Sequence, residues 1–278
     1  MTKIMAKVIE DSIGEDSPRL VSVQATLPRI ILAELNTHRV FSRNFRSSRA
    51  VPVATLIREV REAPYEPIVW LKNRPGMQAS EPMQEHEIHN ARLEWFNAAN
   101  KAADSAEALM KLGLHKQWAN RCLEPYLYVH GIITSIQWSN FWALRKHSDA
   151  QPEFEALAIA IYDAISASKP KELESGQWHL PYVTTDERTG YTLSDPVKIS
   201  VARVARVSYF TFEGKVPNPD ADLKLYDKLV GSVPMHASPT EAQATPDIKI
   251  AGKWSNPHLH GNLHGWVQYR KTLPGECQ

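Results

Sequence analysis

Between Glu34 and Glu59 the chain carries no acidic residue, yet that gap holds Arg39, Arg43, Arg46 and Arg49 within eleven residues. Residues 36–49 read Asn-Thr-His-Arg-Val-Phe-Ser-Arg-Asn-Phe-Arg-Ser-Ser-Arg, so the arginines alternate with hydroxyl and amide side chains. A guanidinium presents a planar fork of donors that matches phosphate or carboxylate, and Ser and Asn fill the remaining acceptor positions. The neighbouring sequence supplies no anions for this cluster. A fold must therefore either spread the arginines over a wetted loop, the ordinary fate of a basic run, or gather them round an anion.

The flanking chain predicts how the stretch is carried. Residues 7–13 and 20–26 alternate apolar and polar positions around Gly14-Glu15-Asp16-Ser17-Pro18, which predicts two strands joined by a turn. Pro28 can open a helix over 28–38 that delivers His38 and Arg39 at its C-terminal end, with the Arg/Ser stretch following as an irregular loop. A short helix is expected over 53–60, and a long Pro/Gly/Asn loop over 62–84. Residues 85–112 are Ala-rich and helical, with Ile88, Leu93, Phe96, Ala99 and Leu109 on the expected core faces. His86 and His89 lie three apart on that helix without an evident third ligand and are read as solvated. Trp138, Phe141 and Trp142 are expected as core aromatics of a buried helix, and Arg145 beside them needs an anionic or carbonyl partner. An amphipathic helix over 153–167 precedes a connector, 168–195, with a hairpin near 187–190. Further on, Leu223, Leu225, Tyr226 and Leu229 have helical spacing.

A net charge of +1 gives no global reason to bind nucleic acid or an anionic membrane, so an anion site must be local. Cys122 and Cys277 are too few for a disulfide framework or zinc ribbon. With no apolar run of spanning length and no signal sequence, a soluble cytoplasmic protein is expected. His258, His260 and His264 suggest a metal, but no nearby carboxylate or cysteine joins them, which favours surface or cofactor-proximal histidines.

The spacing His38-Arg39-x-x-Ser42-x-Asn44-x-x-Ser47-x-Arg49 resembles the signature of the flavin-dependent thymidylate synthases. Asn140-Phe-x-x-Leu-Arg145, followed by Ala150-Gln151-x-Glu153, resembles a second segment of that family. Ala119-Asn-Arg121-x-Leu-x-Pro125 is similar to a third. An Ala-Arg-Val-Ser segment (205–208), a helix, and His236-x-Ser238-Pro-x-Glu241 resemble elements that precede the His-Arg motif in the family but follow it here. The order suggests a circularly permuted, divergent, phage-type relative, with 265–271 a vestige of the junction. Permutation is tolerated where termini lie close together. The expected fold is α+β, helices around an antiparallel sheet. One domain, 1–278, would combine the motif and central helices (1–170) with the permuted segments (196–278).

The resemblance implies C5 methylation of dUMP to dTMP, with FAD as cofactor and NADPH and methylenetetrahydrofolate as co-substrates. Ser47, Arg49 and Arg121 would hold the nucleotide phosphate. Arg145 would stabilise charge at the uracil O4/N3 edge, so Arg145, Arg49 and Ser47 are the candidate catalytic residues. His38, Arg39, Val40, Asn140, Ser208, His236, Ser238 and Glu241 match flavin-contacting positions. No protein nucleophile is required, so Cys122 is expected in the core. Family members are homotetramers with sites shared between subunits. Three departures stand out: Thr37 in place of an arginine, Glu34 in place of a glutamine, and Asp149 in place of a histidine. The segment between Arg121 and Asn140 is also shorter than usual. Glu34 at the substrate could accept from an exocyclic amine, which leaves open dCMP methylation or hydroxymethylation, or a non-catalytic nucleotide-binding protein.

Overall fold

A computed structural model describes residues 4–190, 195–207 and 218–276. The two alternating segments form the expected antiparallel pair, β1 (Met5–Ile13) and β2 (Leu20–Pro28). β2 is buried along nearly its whole length because it is an inner strand. The main sheet runs β3-β4-β2-β1-β5, with β3 at Ser42–Phe45, β4 at Tyr128–Ser135 and β5 at Lys171–Glu172. All pairings are antiparallel except β1 with β5.

Several expectations are corrected here. The helix predicted over 28–38 shrinks to a 3₁₀ turn at Arg29–Ile31 and a single turn, α1 (Leu32–Leu35). Arg43 stops it: its Nη1 donates to the carbonyls of Leu35, Asn36 and His38, at 3.4, 3.1 and 2.7 Å. Those carbonyls lie at and beyond the helix end, where carbonyls lack partners within the helix. The stretch 36–49 is not simply a loop, since β3 lies within it and pairs with β4. β4 itself is buried from Gly131 to Ser135, so it lacks the alternation that marks a half-buried strand.

Helix α2 (Val53–Glu62) packs on α3 (Glu85–Lys111) through Ala99, Ala103 and Ala106, small residues at helical spacing that let the two axes approach closely. Leu93, expected in the core, is exposed. His86 and His89 are exposed, as read. The 62–84 segment is a loop whose arms meet at an isolated bridge between Leu71 and Pro82. After α4 (Lys116–Ala119) and β4 come α5 (Ser139–Arg145) and α6 (Pro152–Ala167). α6 covers the sheet with Phe154, Leu157, Ala158, Ile161 and Ile165. Phe141 and Trp138 are buried as expected.

In place of a hairpin near 187–190 there is α7 (Thr185–Gly190). Thr184 and Glu187 exchange side-chain and backbone bonds across its first turn, the reciprocal pattern that starts helices. Helices α8 (Asp195–Val207) and α9 (Pro219–Val230) pack together. The short pairs β6 (Ala244–Pro246) with β9 (Trp266–Gln268), and β7 (Lys249–Ile250) with β8 (Lys253–Trp254), follow. Cys122 is half-buried, not in the core. Among the described residues no helix is long and apolar enough to cross a membrane.

The connector is pinned to the sheet by a fully buried histidine. His179 Nδ1 lies 2.9 Å from Ser12 Oγ and its Nε2 lies 2.8 Å from Ser22 Oγ, which bonds Thr134 Oγ1 at 2.6 Å. Burial, with Arg188 adding repulsion, pushes the imidazole from the ordinary 6.5 to about 3. As pH falls through 6.5 the unfolded chain takes up a proton that the native ring refuses, so stability is lost on acidification. The slope from this group is about 1.4 kcal/mol per pH unit until its folded value is reached. Urea midpoints from pH 7 to pH 4 are expected to fall less steeply in His179→Gln than in the wild type. Parallel curves would refute the assignment.

Candidate active site

Strand β3 exits the sheet edge beside β4, where Gly131 faces Phe45. A Cβ on Gly131 would stand 2.2 Å from Phe45 Cδ1, so only glycine lets that ring lie against the strand. The preceding residue, Asn44, is buried and ties three parts of the chain together. Its Nδ2 donates to the Val204 carbonyl of α8 (2.7 Å), and its Oδ1 accepts from Ser238 Oγ (3.1 Å) at the start of the 3₁₀ turn Ser238–Glu241. Beyond β3 come Ser47 and the 3₁₀ turn Ser48–Ala50. The fully buried Asn120 donates to the carbonyls of Ser48 (2.7 Å) and Val51 (3.0 Å), locking that turn to the end of α4.

These parts enclose a cleft of about 520 Å³ whose polar lining includes Ser47, Arg49, His115, Lys116, His236 and Ser238. Asn44 and Phe45 also line it, and Ala205 and Leu229 give it an apolar wall. Among the described residues that line it, none is acidic.

The four arginines meet different fates. Arg46 is buried and bonds Glu59 through both terminal nitrogens, at 3.0 and 2.9 Å. Helix α2 thus returns the carboxylate that bounds the acid-free gap in the sequence. Arg43 caps α1, as described. Arg39 is exposed and does not line the cleft. Arg49 is exposed within the cleft and makes no ion pair among the described residues.

A second cluster gathers Glu34, His38 and Arg145. Arg145 pairs with Glu34, donates Nε to His38 Nε2 at 3.1 Å, and lies 4.5 Å from the centre of the Phe154 ring. The partner that a part-buried arginine needs is therefore Glu34. Burial, then the Arg145 charge, lowers the His38 pKa. Because Nε2 accepts, the neutral ring carries its proton on Nδ1.

The remaining sequence candidates lie elsewhere. Arg121 is exposed, pairs with Glu124 at 2.7 Å and does not line the cleft. Glu241 pairs with Arg270, and burial raises its carboxyl despite that cation. Asn140 is exposed on α5. Val40 is exposed, and its carbonyl accepts from Asn262 at 3.0 Å. Ser208 lies outside the described residues. So the structure brings Ser47, Arg49, His236 and Ser238 together from opposite ends of the chain, and separately brings Glu34, His38 and Arg145 together. His115 and Lys116 are cleft residues that the motifs did not mark; the only sequence signal was their basicity. His260, read as a surface or cofactor-proximal residue, is buried with Nε2 2.8 Å from Asp247 Oδ2 and Nδ1 accepting from the Gly265 N–H. Its carboxylate partner lies thirteen residues back, beyond the range of a local spacing argument.

Residues 20–171 match the sequence model of the family described as thymidylate synthase complementing protein. The match covers the His-Arg, Arg121 and Asn140–Arg145 segments and more than half of the chain. No curated protein sequence matches. Among solved structures, the UMP/dUMP methylase PolB from Streptomyces cacaoi, bound with 5-bromo-dUMP, is similar at 17% identity. Its TM-score is 0.50, over 60% of this chain and 91% of that one. The same protein bound with 5-bromo-UMP gives 16% identity and a TM-score of 0.50 over 60% and 90%. The likeness shows a shared α+β fold. With the motif match it establishes that the chain belongs to the thymidylate synthase complementing proteins, the flavin-dependent thymidylate synthase family of methyltransferase-like enzymes.

Proposed function

We propose that this chain methylates C5 of dUMP. Methylenetetrahydrofolate would give the carbon and NADPH the two electrons that reduce it to methyl, while the C5 proton leaves. The observation that carries this reading is the cleft in which Ser47 and Arg49, from the His-Arg/Ser-Arg stretch, meet His236 and Ser238, with no acid among the described residues that line it. Its donor set fits phosphate-bearing groups. FAD, when bound, would carry electrons between NADPH and the one-carbon unit. In the cleft, His236 and Ser238 would hold it. Arg39, Val40 and Asn140 are exposed, which leaves them accessible to a cofactor, while Glu241 and His38 would act through the elements they brace.

Ser47 and Arg49 would bind the 5′-phosphate by charge-assisted hydrogen bonds. Arg145 and Glu34 together offer a donor and an acceptor for a pyrimidine edge, the donor for uracil O4 and the acceptor for N3–H. The fixed guanidinium would stabilise negative charge there as C5 becomes nucleophilic. Arg145 lies outside the cleft that holds Arg49, which supports a site completed by another copy of the chain, in a homotetramer. Residues 1–278 would then act as one permuted domain. The likeness to a methylase bound to 5-bromo-dUMP and 5-bromo-UMP supports a pyrimidine nucleotide as substrate. An enzyme of this kind would work in the cytoplasm on free nucleotides, not on nucleic acid.

A second reading rests on Glu34. Its carboxylate could equally accept from the exocyclic amine of cytosine while Arg145 donates to N3, giving dCMP methylation or hydroxymethylation. The visible spectrum of the full chain with FAD separates the two. A bound flavin band perturbed by dUMP and not by dCMP is expected. Perturbation by dCMP alone would transfer the assignment to cytosine, and a chain that binds no FAD would end the redox reading.

A further inference from the structure

Beside Ser47 and Arg49 of the motif, the cleft is lined by two basic side chains that the motif does not include, His115 and Lys116. Lys116 Nζ donates to the Ala50 carbonyl at 3.0 Å. An ammonium carries three N–H donors, so one bond fixes its direction and leaves two for a ligand. His115 accepts the Gln117 N–H at Nδ1 (3.2 Å), so the neutral ring carries its proton on Nε2 and is a donor there. Lys116 is half-buried and His115 exposed, and each is oriented by its one hydrogen bond. The buried Asn120, at the end of the same helical turn, is bolted to the Ser48 and Val51 carbonyls on either side of Arg49. Arg49 and Lys116 therefore stand on one rigid frame, and no acid among the described residues lines the cleft they share. Two fixed like charges in one concavity repel unless a ligand compensates them. A ligand of charge near −2 with several acceptor oxygens does so; a neutral or singly charged group leaves one cation uncompensated.

We infer that Lys116 and His115 complete, with Ser47 and Arg49, a cradle for a phosphate monoester dianion, and that Lys116 sets the preference for nucleotide over nucleoside. This rests on the pyrimidine-nucleotide reading given above. Phosphate could reach the cradle from the substrate or from the pyrophosphate of FAD, and the tests separate these sources.

The variants are Lys116→Gln, which keeps a donor for Ala50, and Lys116→Arg, which keeps the charge. Equilibrium binding to the full chain is measured for dUMP, deoxyuridine, FAD and riboflavin. Lys116→Gln is expected to weaken dUMP by at least about tenfold, the scale of one charge-assisted bond, while leaving deoxyuridine, FAD and riboflavin unchanged. Lys116→Arg is expected to bind dUMP nearly as the wild type does. Unchanged dUMP affinity in Lys116→Gln, or a loss confined to FAD, would overturn the assignment. Inorganic phosphate probes the cradle without any nucleotide. At ionic strength matched with chloride, it should raise the melting midpoint of the wild type and not that of Lys116→Gln. If the wild type binds neither dUMP nor dCMP yet is protected by phosphate, the substrate reading falls and the cradle stands. If phosphate protects the wild type and Lys116→Gln alike, or neither, the cradle falls.

Discussion

Arg49→Ala is expected to cut turnover at sub-saturating dUMP by about 10- to 150-fold, the value of one lost charge-assisted hydrogen bond, and to leave the melting midpoint where it was. Both halves follow from where Arg49 stands. It is exposed in the cleft with no carboxylate partner among the described residues, so its removal strands no buried charge. Arg46, three residues earlier, is the contrast: it is buried against Glu59, and its charge belongs to the fold. Arg145→Ala should also lose activity, but with a different signature, because Glu34 and His38 lose their partner together. Arg49→Ala turnover equal to wild type under kcat/KM conditions would remove the phosphate role.

The largest loss of stability is expected at Arg203. Its side chain is 1% exposed. It bonds Glu187 through both terminal nitrogens, Asp222 through Nε (2.8 Å) and the Tyr182 carbonyl (2.6 Å). Arg203→Met keeps the aliphatic bulk but takes the arginine from the part-buried Glu187 carboxylate, which keeps Thr184, and from the part-buried Tyr182 carbonyl; Asp222 retains Arg206. Losing charge-assisted bonds to such groups costs about 1.5–3 kcal/mol, which a urea midpoint resolves. The pH dependence gives a second check. The bond from Arg203 is the main reason the Glu187 carboxyl is pulled from the ordinary 4.5 down to about 2. In the wild type this contribution is full above pH 4.5 and disappears as the pH falls toward 2. In Arg203→Met that acid-side loss should flatten. A midpoint unchanged at neutral pH would mean that the bonds of Arg203 add nothing to the stability of the fold.

Local patterns disclosed the helices with long periodic signals and the β1–β2 pair, because alternation and 3.6-residue spacing survive wherever one face meets water. They missed β4, whose run from Gly131 to Ser135 is buried on both faces and so carries no period. They also missed β3, where polar and basic residues form a short edge strand. At the candidate site, the family resemblance nominated Ser47, Arg49, His236 and Ser238, and the fold gathers these from positions nearly two hundred residues apart. The spacing could not show that Arg46 would find Glu59, or that Arg145 would find Glu34, since both partnerships depend on helix placement. His115 and Lys116 escaped for the same reason: nothing within a few residues of them marks a site.

The bridge made by Asn44 gives the site a timetable. All five strands of the main sheet are complete in sequence by residue 172, so a nascent chain can assemble the platform carrying Ser47 and Arg49 early in synthesis. The Val204 carbonyl and Ser238 hydroxyl that clasp Asn44 leave the ribosome much later. Until they arrive the cleft has only one wall. The cleft is thereby completed only when synthesis is nearly finished, and a chain cut short after its sheet has formed is expected to fold in part with the cleft unclosed.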